Sequence, residues 1–147
     1  MPRAPFQVLV FPFCDTPEGL RYGLLKRSDG AYWQGIAGGG EGSERPEETA
    51  RREAFEEGGV PSESRLIPLD TITSIPVMHF PEHHLWGSDT YVIPEYTFGI
   101  ECDSNQLELS REHTEYCWLP YDEALSLLHY DSNKTALWEL NVRLLKR

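Results

Sequence analysis

Apolar and polar positions alternate along this chain in a pattern that predicts mostly strands, with three helices set among them. The apolar-rich run from Phe6 to Phe13, bounded by proline, reads as a strand. Leu20 to Lys26 reads as its hairpin partner, turned by Asp15, Pro17 and Gly19. After a turn at Ser28-Asp29-Gly30, Trp33 to Ile36 forms a short strand, and Gly38, Gly39, Gly40 and Gly42 predict a flexible loop where backbone can approach a ligand. Pro46 to Gly58 predicts a helix. Proline suits its first position, Glu47 and Glu48 suit its positive end, and Gly58 and Gly59 stop it, while Arg45 is a poor cap. Ala50 and Ala54, four residues apart, give that helix a narrow face able to lie close to a sheet.

Alternating Ile, Thr and Leu from Leu66 to Val77 predict one or two strands, followed by a His- and aromatic-rich loop from His79 to Ser88. Tyr91 to Glu101 reads as a strand in which Pro94 suggests an edge or a bulge. Glu115 to Leu119 is a short strand and Tyr121 to Leu128 a helix. A last helix, capped by Asp131 or Ser132, places Leu137, Leu140 and Leu144 on one face. Strands mixed with helices, without regular βαβ alternation, predict an α+β architecture with a mixed β-sheet flanked by helices. No repeat or linker divides the chain, and 147 residues fit a single domain spanning residues 1–147.

Composition narrows the function. With 39% apolar and 25% charged residues the chain is not disordered. A formal net charge of -11 repels nucleic-acid phosphates, so duplex binding is not expected. Cys14, Cys102 and Cys117 are scattered and odd in number, which suits a reducing, cytoplasmic setting rather than a disulfide framework or a CxxC zinc site. The apolar run Val8 to Phe13 is too short to span a membrane, and the N-terminal residues are unlike a signal peptide. A monomer or homodimer is expected.

The acid is concentrated in one stretch. Glu53, Glu56 and Glu57 stand at i, i+3 and i+4, which stacks three carboxylates on one helix face at a cost of roughly 0.2–0.5 kcal/mol per like-charged pair. Such a run is either a solvated acidic face or a site for a hard divalent cation, which takes carboxylate oxygens together with waters and substrate phosphates. A glycine loop entering the same helix adds backbone groups at that spot.

Gly38, five residues, Glu44, seven residues, then Arg52-Glu53-Ala54-Phe55-Glu56-Glu57-Gly58-Gly59-Val60 occupies every fixed position of the Nudix box, and on this pattern the chain resembles the Nudix hydrolase superfamily. It departs from relatives at Ala37 and Ser43, where glycine is common, and both residues are small. The resemblance implies the Nudix fold, an α/β/α sandwich, and a loop-helix-loop that binds Mg²⁺, with Mn²⁺ as a substitute. Glu53, Glu56 and Glu57 would be metal ligands, joined by a Gly38 or Ala37 carbonyl. Glu44 would support them or activate water, and Arg52 would orient a glutamate. The implied reaction is attack by water on a diphosphate phosphorus.

Arg27 to Gln34, Glu112-His113, Tyr116, Trp118-Leu119 and Ser132-Asn133-Lys134 extend the similarity to the bacterial dihydroneopterin triphosphate pyrophosphatase branch. That similarity implies Glu112 as a further ligand or general base, Arg27 as a phosphate binder, and a small nucleotide-like substrate, a pterin or purine nucleoside triphosphate losing pyrophosphate. Trp33 is either core or a base-stacking platform. Glu95, an acid within an apolar strand, faces either the substrate or a basic partner. Pro76 lies near the position where ADP-ribose enzymes carry a proline, so ADP-ribose, nucleotide sugars and dinucleoside polyphosphates stand as alternative substrates, and a non-catalytic binding module as another class. His79, His83 and His84 lack flanking cysteines and do not predict zinc.

Overall fold

The computed structural model describes residues 2–28, 30, 32–103, 107–108 and 113–146, with the side chains of residues 113 and 114 outside the description. Its organising strand is β1 (Arg3–Thr16). Leu9, Phe11 and Phe13 point to one side of it and Val8 and Val10 to the other, and all five are buried. Burial on both faces explains why the sequence reads there as an apolar run rather than as alternation.

β2 (Gly19–Arg27) pairs antiparallel with the end of β1, and β4 (Ile36–Glu41) antiparallel with its beginning. β3 (Trp33–Gln34) and β7 (His113–Leu119) both pair with β2. β6 (Val92–Glu101) runs parallel to β1 on its other side, and β5 (Leu66–Pro76) lies outside β6. Among the described residues the result is a seven-stranded mixed sheet, ordered β3-β2-β1-β6-β5 with β4 and β7 off that path. α1 (Pro46–Gly58) covers one face through Ala50 and Ala54, packed with Val8, Val10 and Ile36. α2 (Tyr121–Leu127) and α3 (Asp131–Leu145) cover the other, where Leu137, Leu140 and Leu144 meet Leu9, Phe11 and Phe13. The expected mixed sheet between helices is therefore present.

Several local expectations are corrected. Gly38, Gly39 and Gly40 belong to strand β4 rather than to a flexible loop, because β1 supplies its hydrogen-bond partners, and only Gly42 lies in a turn, at φ 57°. Pro94 lies in an interior strand. The ladder to β1 begins one residue later at Glu95, so the missing N–H is not needed there, and the irregularity lies in β5 between Pro68 and Ile72. The segment after β5 forms two short 3₁₀ turns, Val77–His79 and Pro81–Trp86. Asp131 and Ser132 are already inside α3, whose cap position is Tyr130. At α1 the guanidinium of Arg45 can accept nothing. The Glu48 carboxylate instead accepts the Arg45 backbone N–H at 2.8 Å, and Gly59 closes the helix at φ 68°.

Candidate active site

β4 and α1 meet at a cleft of about 1210 Å³. Contact between them is close: a Cβ on Gly38 would collide with the Glu53 carboxylate, and one on Gly39 with the Arg3 guanidinium. Along α1, Thr49, Glu53 and Glu57 form one inward stripe at four-residue spacing. Glu53 and Glu57 are only 8% and 6% exposed, whereas the Glu56 side chain is 54% exposed, and all three line the cleft. The expected stack is thus two buried carboxylates with a third at the mouth.

Arg52 ties the cluster together. Its Nε and Nη2 donate to the two Glu44 oxygens at 2.8 and 2.9 Å, Nη2 also donates to the Gly39 carbonyl at 2.9 Å, and Nη1 reaches Glu53 and Glu56 at 3.0 and 3.1 Å. Glu44 further accepts the Glu41 backbone N–H and the Thr49 hydroxyl, each at 2.9 Å. The Arg52 hydrogen bonds hold the Glu44 carboxyl down at about 2, with Thr49 and the Glu41 amide helping against the opposing effect of burial. Glu44 in turn raises Arg52 above the ordinary arginine range. A carboxylate so held is a poor proton acceptor near neutral pH, and Arg52 bridges it to Glu53 and Glu56.

Hard oxygen donors on a cleft wall fit a divalent cation of the Mg²⁺ type. Among the described residues, no three acidic, imidazole or thiol groups stand together as a ready cage. Mg²⁺ does not need one, since it commonly takes one or two carboxylates and completes its shell with water and phosphate oxygens. Glu53 and Glu57, with Gly38 packed against the Glu53 carboxylate, fit that mode.

Arg27 and Glu95 line the same cleft. Glu95 is 6% exposed, and burial pushes its carboxyl up to about 7. Trp33 does not line the cleft. It packs on the core around Leu9 and Phe11, and Tyr32, one residue earlier, faces the cavity instead. Glu112 lies outside the described residues. His79 lines the cleft, while His83 and His84 are exposed. Sequence reasoning overlooked Arg3, Gln7, Thr49 and Tyr32. Gln7 carried a signal, a polar side chain inside an apolar strand, and Thr49 carried another, its place four residues before Glu53.

Residues 7–138 match the NUDIX domain family. The chain belongs to that family. As a NUDIX protein its enzyme class is that of the Nudix pyrophosphohydrolases. A dihydroneopterin triphosphate diphosphatase of Haemophilus influenzae is 27% identical over 116 residues, covering 78% of this chain and 73% of that protein. A Listeria monocytogenes protein assigned to the NUDIX hydrolases is 44% identical, with a TM-score of 0.88 over 97% of this chain and 96% of the other. The dihydroneopterin triphosphate pyrophosphohydrolase of E. coli shares the fold at 23% identity, with a TM-score of 0.76 over 96% and 99% of the two chains.

Proposed function

We propose that this NUDIX protein is a Mg²⁺-dependent pyrophosphohydrolase that splits a nucleoside triphosphate-like substrate, carrying a pterin or purine ring, into a monophosphate and pyrophosphate. The observation that carries this reading is the pair of buried carboxylates, Glu53 and Glu57, on the wall of a cleft large enough for a nucleotide. Glu53, Glu56 and Glu57, with the Gly38 carbonyl, would hold the cation, and Mn²⁺ would serve in its place. When bound, the cation would neutralise phosphate charge and acidify a water molecule. Arg52, fixed by Glu44, keeps the Glu53 and Glu56 carboxylates in place. Arg27 binds the phosphates, which suits its fork of donors, and Glu112 accepts the proton of the attacking water or adds a ligand. A P–O bond forms to water as the diphosphate P–O bond breaks. The cytoplasm suits three cysteines that form no disulfide.

A nucleotide panel incubated with Mg²⁺, with products separated, tests the reading. Monophosphate plus pyrophosphate is the expected outcome for dihydroneopterin triphosphate and the purine triphosphates. Glu57→Gln should fold and lose about 100- to 1000-fold in turnover, as when a preorganised electrostatic contact is removed. Wild-type turnover by that variant would sink the site assignment. Pro76 lines the cleft and favours a second reading, an ADP-ribose or nucleotide-sugar substrate, which the same panel would reveal as two monophosphate products.

A further inference from the structure

The cleft has a second polar wall that the hydrolytic chemistry does not use. β1 lies between β4 and β6, so Gly39, Gln7 and Glu95 form one row across three backbones. Gln7 and Glu95 are cross-strand partners and both line the cleft. Two strand spacings, about 10 Å, separate this carboxyl's strand from the glycine strand beneath the acidic helix. Glu53 and Glu57 line the same cleft as Glu95, so a ring held at Glu95 leaves its phosphates within reach of the acidic helix.

Glu95 is more than nine-tenths buried and makes no hydrogen bond or ion pair among the described residues. Burial alone accounts for its raised pKa, and no donor from the described residues holds its charged form. Gln7 is different, because one half of its amide is already committed. Arg3 Nη2 donates to Gln7 Oε1 at 2.6 Å, and since a guanidinium can only donate, the amide is turned so that its NH₂ group remains for a ligand. With Glu95 ionised, the wall offers two acceptor oxygens beside one amide donor. Ile75, Pro76 and Phe80 line the same cleft and supply apolar surface for a flat ring.

We propose that Gln7 and Glu95 read the 2-amino-4-oxopyrimidine edge shared by guanine and pterins, the carboxylate accepting its ring N–H and amino group and the Gln7 amide donating to its oxo group. Adenine presents a ring nitrogen lone pair where this wall presents an oxygen, so it is disfavoured. The inference rests on reading the cleft as the site of a ring-bearing triphosphate.

Calorimetric titration of guanosine, neopterin and adenosine into the wild type and Glu95→Gln tests it without requiring turnover. The wild type should bind guanosine or neopterin at least about 10-fold more tightly than adenosine, the discrimination that one bidentate contact supplies, and the variant should lose that preference. Whichever of the two is preferred identifies the ring. In Mg²⁺ assays the ratio of kcat/KM for dGTP or dihydroneopterin triphosphate over dATP should shrink about 10- to 100-fold in Glu95→Gln. Gln7→Leu should shrink the same ratio, and it keeps the test decisive if the first variant fails to fold. Equal binding of guanosine and adenosine by the wild type, or a preference retained by the variants, overturns the proposal. A protein that binds guanosine through Glu95 yet hydrolyses no nucleotide would sink the pyrophosphohydrolase reading and leave this one standing.

Discussion

Glu44 and Glu95 are both acids near one cleft, yet their surroundings push them in opposite directions. Glu44, bracketed by the Arg52 guanidinium, is held at about 2, below the ordinary 4.5. Its contribution to stability is complete above pH 4.5 and is lost as the pH falls from there toward 2. Glu95, lifted to about 7 by burial, behaves in the reverse sense. The unfolded chain releases that proton near 4.5 and the folded chain only near 7, so stability declines as the pH rises through this window. Denaturant melts at pH 4, 6 and 8 should show Glu44→Gln losing up to about 3 kcal/mol at pH 8, with the deficit narrowing in acid. Glu95→Gln should gain up to about 3 kcal/mol at pH 8 and almost nothing at pH 4. A Glu95→Gln effect that does not change with pH would mean this carboxyl ionises normally in the folded protein.

The strand–helix pair of β4 and α1 shows what local sequence can and cannot reveal. The glutamates at i, i+3 and i+4 alone left a solvated acidic face open, and it was the full spacing from Gly38 to Val60, through its resemblance to the Nudix box, that singled out the site. The strand before the helix was not readable, because glycine has low strand propensity and its reason for being there is remote. Glu53 from α1, and Arg3 and Phe6 from β1, fill the space that side chains at Gly38, Gly39 and Gly40 would occupy. Trp33 stayed open between core and cleft, and Tyr32 went unassigned, for a related reason, since in a two-residue strand the period is too short to say which neighbour faces the core. The geometry makes a prediction at this scale. Gly38→Ala should destabilise the fold by about 1–3 kcal/mol through overpacking. It should also cut turnover more than about 10-fold, because Glu53 must move aside. Normal activity in that variant would show that the contact between strand and carboxylate is dispensable.

For the molecule as a whole, a net charge of -11 and a cleft walled by buried acids should make the folded state responsive to cations. Mg²⁺ should raise the melting temperature, by the equivalent of about 2.7 kcal/mol when its concentration is 100 times its dissociation constant, while Na⁺ at equal ionic strength should not. Glu57→Gln should blunt the shift. Without metal it should melt no lower than the wild type, since one member of a repelling set is gone. A lower melting point in metal-free buffer would argue against crowded charge at this site. No helix among the described residues is long and apolar enough to cross a membrane.

Arg3 joins three parts of this architecture at the first residue of the first strand. Its backbone carbonyl accepts the Trp86 indole N–H at 2.9 Å, its guanidinium lies over the Phe80 ring, and the same group holds the Gln7 amide. The outer loop and the inner cleft wall therefore hang from one hasp. Whatever unfastens it, a protease nick or a bulky fusion at the front of the chain, would reach both at once.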